Sequence, residues 1–233
     1  MYKAILVGSI GTFVETSELQ REAYNQAMSQ LGIDWHWDLS TYRALLEING
    51  GKKRLEMLSD ATNRKLTPEK IEQIHKLKTT IACKLIQEKK PSIRPFTKNI
   101  IDYAQAHDLS LGLVTSTSKT NVDTLLQITG LESSFKTIIT QENLTESKPS
   151  PQGYQQALGN LNIKAHEAIA LEDSFQSILA ATRAGIKVIG YGGANTQTQV
   201  FDFCDYYISP TLDDSQLTDH ELVANILQKI ENN

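Results

Sequence analysis

The sequence predicts an α/β protein, a doubly wound (Rossmann-like) parallel sheet carrying an inserted helical lobe, and three observations lead there. Short, continuously apolar runs recur along the chain, as strands buried on both faces require. Segments of helical period alternate with them, the order of βαβ units with helices on both sides of a sheet. Residues 18–90 break this alternation, holding helical patterns and no convincing strand.

The elements follow in order. Ala4-Ile5-Leu6-Val7 reads as the first strand and runs into a glycine-containing loop, Gly8-Ser9-Ile10-Gly11-Thr12. In the insert, Leu19, Ala23, Ala27 and Leu31 mark one amphipathic helix. Ile71, Ile74, Leu77, Lys78, Ile81 and Leu85 mark a longer one, with Thr67 as its N-cap and Pro68 at its first position. Pro91 and Pro95 close the insert. Further strands are expected at 109–114, 138–139, 168–171, 188–191 and 206–208, with helices at 100–106, 121–128, 153–161, 178–184 and 222–230 between and after them. The expected division is a core of residues 1–16 and 92–233 and an all-helical cap of residues 17–91.

Composition bounds the function. A chain of 233 residues is long enough for a sizeable core. Its 23 basic and 27 acidic residues give a net charge of −4 with no basic block, which argues against a nucleic-acid partner. No apolar run approaches the ~18 residues of a membrane span, and the first is too short for a signal-peptide core. Cys83 and Cys204 match neither a metal spacing nor a disulfide framework, so a reducing, cytoplasmic setting is expected. The five histidines show no ligand spacing.

In a sheet of this kind ligands bind at the carboxyl ends of the strands. Four segments fall there: 8–12, 115–119, 147–151 and 171–174. A hydroxyl such as Ser116, at a strand end beside a helix N-terminus, suits a phosphate oxygen, although Thr115-Ser116-Thr117-Ser118 alone reads as a capping loop. Lys148-Pro149-Ser150-Pro151 alone is a lysine in a turn. Glu172-Asp173-Ser174 supplies hard oxygen ligands of the kind Mg²⁺ prefers, or else a helix cap.

Taken together, the four segments resemble the haloacid-dehalogenase-like (HAD) phosphohydrolases, in the branch of β-phosphoglucomutase and the CbbY-type sugar-bisphosphate phosphatases. Asp34-Trp35-His36-Trp37-Asp38 and Gly50-Gly51-Lys52-Lys53-Arg54 in the insert look like the CbbY branch too, so the resemblance covers nearly the whole chain. It implies a HAD core with a helical cap and a cleft between them. It also implies phosphate binding by Ser116, Ser118 and Lys148, Mg²⁺ binding by Asp173 and Glu172, and cap contacts to a sugar from Gly51, Lys52 and Arg54. Solvated charge at the start of a helix is the alternative for those cap residues.

The first motif departs from the family. Where the family reads Asp-x-Asp-Gly-Thr, with nucleophile first and general acid and base second, this chain has Gly8 and Ile10. Gly8 has no side-chain atom to attack phosphorus, and Ile10 has no proton to give, a loss worth roughly 10²- to 10⁴-fold in rate. Ser17 and Gln20 stand where the family commonly has Glu and His. These four positions serve one mechanism, and they point to a pseudoenzyme that acts as a binding or regulatory module, through a residual phosphosugar or anion pocket or a protein partner. Mg²⁺ binding is expected to be weak or absent. The alternatives are a weakly active Mg²⁺-dependent sugar-phosphate phosphatase, and an interaction protein whose cleft Ile10 plugs.

Overall fold

A computed structural model describes residues 2–8, 10–62, 64–196, 199 and 201–232, without the side chains of Ile10 and His220. In chain order the elements begin with β1 (Ala4–Val7), α1 (Ile10–Phe13), α2 (Ser17–Gln30), α3 (Leu39–Leu45), α4 (Gly51–Ala61), α5 (Pro68–Lys89) and α6 (Pro95–Ala106). Then come β2 (Ser110–Val114), α7 (Lys119–Thr129), β3 (Thr137–Ile139), α8 (Gln152–Leu161), β4 (Ala168–Glu172) and α9 (Phe175–Arg183). β5 (Lys187–Gly190), β6 (Tyr206–Tyr207), α10 (Asp214–Leu217) and α11 (His220–Glu231) complete the described chain.

The strands pair in parallel in the order β3-β2-β1-β4-β5-β6. β1 lies between β2 and β4, with Val7 level with Leu113 on one side and Leu171 on the other, so three strands end at one height. Side-chain alternation divides the core. Ile5, Val7, Leu111, Leu113, Ile169 and Leu171 pack toward Phe96 and Ile100 of α6, Leu125 of α7 and Ile226 of α11. Ala4, Leu6, Val114, Ala168, Ala170 and Val188 pack toward Tyr154 and Ala157 of α8 and Ile178 and Ala181 of α9.

The segment from α2 to α5 is helical, and among its described residues there is no strand. It has a core of its own, built on Tyr24, Met28, Trp37, Tyr42, Leu55, Ile74 and Ile81. Trp37 stacks between Tyr24 and Tyr42, at centroid distances of 4.4 and 6.3 Å, so these aromatics are used mainly in packing. The Thr67 hydroxyl caps α5 through the Lys70 amide at 3.3 Å, and Pro68 follows at the first helical position. Of two shorter helices, α3 has no counterpart in the sequence reading, and α4 begins where the reading of Lys52 and Arg54 as charge at a helix start placed one. The loop expected after β1 instead closes a helical turn, α1, and Leu31 falls one residue beyond α2.

The chain enters and leaves this lobe at neighbouring points. Val14 and Ile93 form an antiparallel bridge, and the Arg94 amide donates to the Phe13 carbonyl at 3.1 Å. Elsewhere the lobe meets the core through Arg43 Nε to Asn195 Oδ1 at 3.0 Å and the Cys83 thiol to Asn121 Oδ1 at 3.1 Å. No helix among the described residues is long and apolar enough to cross a membrane.

Candidate functional site

The carboxyl ends of β1, β2 and β4 converge on a buried carboxylate. Glu172, the last residue of β4, is fully enclosed. Its Oε1 accepts from the Lys148 ammonium and from the Tyr154 phenol of α8. Lys148 also donates to the Val114 carbonyl at 3.0 Å, so one ammonium ties the end of β2 to the end of β4. Burial, reinforced by the Glu172 charge, pushes the Tyr154 phenol far above its usual range and keeps it a donor. Glu172 Oε2 has no hydrogen-bond partner among the described residues.

The position of that carboxylate is made possible by Gly8. A Cβ built on Gly8 would overlap the Glu172 carboxyl group itself. The volume that any side chain at position 8 needs is therefore already filled. Asp173 repeats the relation one residue on, since its Oδ2 would overlap a Cβ on Gly11. Glu172 lies where the first bond of a side chain on residue 8 would run, deeper than a carboxylate carried by that residue.

Beside this cluster lie two unpaired hydroxyls. Ser116 Oγ and Ser118 Oγ are buried as atoms and have no hydrogen-bond partner among the described residues. Ser118 occupies the N-cap position of α7, yet its side chain makes no capping bond. The Glu142 carboxylate takes the first amide of that helix instead, at 3.0 and 2.9 Å from Lys119 N. Burial opposes the charge on Glu142, but bonds from the Thr140 hydroxyl and the Lys119 amide outweigh it and hold the carboxyl below its usual range. The Ser118 hydroxyl is thereby left for the cleft. At β4, Ser174 stands at the N-cap of α9, again without a side-chain capping bond.

The cleft between core and cap has a volume of about 140 Å³. Ser116, Ser118, Lys148 and Asp173 line it from the core, and Gly51, Arg54, His75 and Lys78 from the cap. Arg54 is held by Nε donating to the Ile48 carbonyl at 2.7 Å. Lys52 differs from the sequence reading: it pairs with Glu72 and does not line the cleft, because α4 turns its side chain toward the N-terminal half of α5. Gln20 accepts from the Lys78 ammonium, and Ser17 bonds to Glu15. Burial, and then the positive charge of Arg54, brings Lys78 down to about 7. Burial, and then Lys78 and Lys52, brings His75 down to about 4. The side chain of Ile10, read as a plug, lies outside the described residues.

Arg94 is a positioning residue that sequence reading missed. Its guanidinium donates to the carbonyls of Gly11 at 2.8 Å, Tyr191 at 2.9 Å and Gly192 at 2.7 Å, and lies 3.5 Å from the centre of the Tyr191 ring. One side chain thus fixes the loops after β1 and β5. A basic residue between the prolines that close the insert is its only trace in the sequence.

The family profile for haloacid dehalogenase-like hydrolases matches residues 11–191. The chain belongs to this family. The match begins at Gly11, just past Gly8 and Ile10. Protein CbbY of Cereibacter sphaeroides is 35% identical over 208 residues, covering 88% of this chain and 90% of that one. Protein CbbY of Rhodobacter capsulatus is 31% identical over 209 residues, covering 88% and 92%. Crystal structures of CbbY from Rhodobacter sphaeroides, in complex with phosphate or, as a mutant, with xylulose-(1,5)bisphosphate, superpose with a TM-score of 0.84 at 32% identity, covering 94% of this chain and 96% of that one. The haloacid dehalogenase-like core and its helical cap are therefore a shared architecture.

Phosphatases of this family generally use Mg²⁺. Of the two acids expected to hold it, Asp173 lines the cleft and Glu172 does not. Glu172 is committed to Lys148 and Tyr154, and the Lys148 ammonium repels a cation at the same place. Among the described residues no group of three or more His, Cys, Asp or Glu is arranged to hold a metal.

Proposed function

We propose that this haloacid dehalogenase-like protein is a non-catalytic binding module that takes a phosphorylated sugar, or a small anion of similar shape, in the cleft between core and cap. The observation that carries the reading is the Glu172 carboxylate in the space of a position-8 side chain. A phosphohydrolase of this family needs a carboxylate facing the phosphate. Here the carboxylate that fills that space, Glu172, is enclosed and neutralised by Lys148. Ile10 adds the loss of the acid and base.

The anion reading is supported by Ser116 Oγ and Ser118 Oγ, two buried hydroxyls left without partners, and by Lys148 beside them. Buried polar atoms are normally satisfied, so unmet donors in a cleft mark where a ligand belongs. The relatives co-crystallised with phosphate and a sugar bisphosphate give the ligand class its analogy. Weak Mg²⁺ binding through Asp173 and a cytoplasmic setting, argued from the free Cys83 and Cys204, belong to the same reading.

Two measurements test it together. Release of inorganic phosphate from a panel of sugar phosphates with Mg²⁺ should stay at the blank, while inorganic phosphate should raise the melting temperature. Turnover near 1 s⁻¹, an order of magnitude typical of slow enzymes, would overturn the catalytic half. Absence of any thermal shift up to high millimolar phosphate would overturn the binding half.

A further inference from the structure

Lys78 stands on the cap wall of the cleft and has no part in the phosphate contacts just described. It sits midway along α5 and is more than nine-tenths buried. Its ammonium donates to Gln20 Oε1 and lies 4.8 Å from the centre of the Tyr24 ring, and it forms no ion pair with any carboxylate among the described residues. Enclosed lysines are ordinarily matched by an acid, because an unpaired buried charge is costly. This one has Arg54 in the same cleft, which adds repulsion to burial.

We propose that Lys78 is a covalent capture site for a carbonyl compound that also bears a phosphate group, such as the open-chain form of a small phosphorylated ketose or aldose. The proposal rests on the anion-site reading, since Ser116, Ser118 and Lys148 on the opposite wall are to hold the phosphate. A desolvated lysine beside another cation is the setting in which an amine loses its proton and becomes a nucleophile. Burial and Arg54 bring this amine down to about 7, so it gives up its proton far more readily than a surface lysine.

The Lys78 nitrogen lone pair attacks the carbonyl carbon, forming the C–N bond, and the carbonyl oxygen takes up a proton as the nitrogen loses one. The carbinolamine then takes one further proton from solvent on its hydroxyl. The C–O bond breaks, water leaves, and a protonated imine remains. That imine keeps one N–H, and Gln20 Oε1 is already placed to accept it.

The test is reductive trapping on the full chain. The protein is incubated with dihydroxyacetone phosphate and cyanoborohydride, which delivers hydride to an imine carbon and leaves a stable secondary amine; intact mass and peptide mapping then locate it. The expected result is one adduct per chain at Lys78, reduced by about tenfold or more when excess inorganic phosphate competes or when neutral dihydroxyacetone replaces the ester. The adduct should be absent from Lys78→Arg, which keeps the charge, and from Lys78→Met. The melting-temperature shift with inorganic phosphate is measured in parallel on wild type and both variants. A phosphate shift without an adduct, or adducts scattered over surface lysines equally in the variants, overturns capture and leaves the anion site standing. A Lys78 adduct without a phosphate shift supports capture and removes the anion site; the absence of both overturns both.

Discussion

At the scale of single residues, Gly8 and Glu172 depend on each other. Gly8→Ala places a methyl group where the Glu172 carboxyl stands, and overpacking of this kind costs about 1–3 kcal/mol. Chemical denaturation should register that loss; an unchanged midpoint would mean Glu172 moves aside freely. Gly8→Asp should be destabilised as well and should show no turnover, because Glu172 must be displaced and Ile10 still supplies no proton. Adding Ile10→Asp should raise phosphate release far more than the two single changes combined, as for groups that act as one unit. Lys148→Met is expected to act twice. It strands an enclosed carboxylate, costing about 3–5 kcal/mol of stability, and it weakens phosphate binding by about 1–3 kcal/mol, the loss of a charged hydrogen bond. Isothermal titration at a temperature where the variant remains folded separates the two, and full-strength binding there would take Lys148 out of the site.

Among the elements, Arg94 offers the clearest test, because its three carbonyl bonds join the loops after β1 and β5, to which the Glu15 carboxylate adds one bond, accepted from the Ala194 amide at 2.8 Å. Arg94→Ala should cost at least about 2 kcal/mol, given 1.5–3 for a hydrogen bond to a charged group. It should also speed amide exchange in α1, and Arg94→Lys should not rescue either effect, since an ammonium lacks the planar fork. Legibility in the sequence divides along similar lines. The strands were readable because a parallel strand covered on both faces is apolar throughout, as Ala4–Val7 and Ala168–Glu172 are. α5 was readable from its stripe and from Thr67-Pro68. α3, only seven residues long, is shorter than a period can establish, and α4 shows in the sequence only as a basic helix start at Lys52-Lys53-Arg54, its extent hidden by a weak apolar stripe. Candidate site residues could be named by resemblance, but their arrangement could not be read. Lys148 closing on Glu172, Lys52 turning to Glu72 and Lys78 lining a cleft are tertiary facts with no local signature.

For the molecule as a whole, the cleft and its surroundings should be visible in the pH dependence of stability. Both perturbed bases hold fewer protons folded than unfolded. His75 differs between about 4 folded and 6.5 unfolded, and Lys78 between about 7 and 10.5. In each window the unfolded chain binds the extra proton, so stability rises with pH across both and is lost as pH falls. Lys78→Met should therefore melt higher than wild type at pH 7, and the gap should narrow toward pH 10; a constant gap would show that Lys78 is charged throughout. The groups facing them are Arg54, Lys52, Glu72 and the Cys83 thiol, and His75 also feels the Lys78 charge, so its own window is expected to move up in Lys78→Met.

The bridge between Val14 and Ile93 has a consequence for how such a chain is built. Because the two crossings are neighbours, the entropy of closing the cap as a loop grows only slowly with its length, and what ties the cap further to the core is contact, with Ile86 of α5 packed among the core's buried residues. A gene lacking everything between Val14 and Ile93, rejoined by a few glycines, should then yield a core that folds alone. The same two points should accept a foreign domain whose own ends meet, provided that it refills the place of Ile86 in the core.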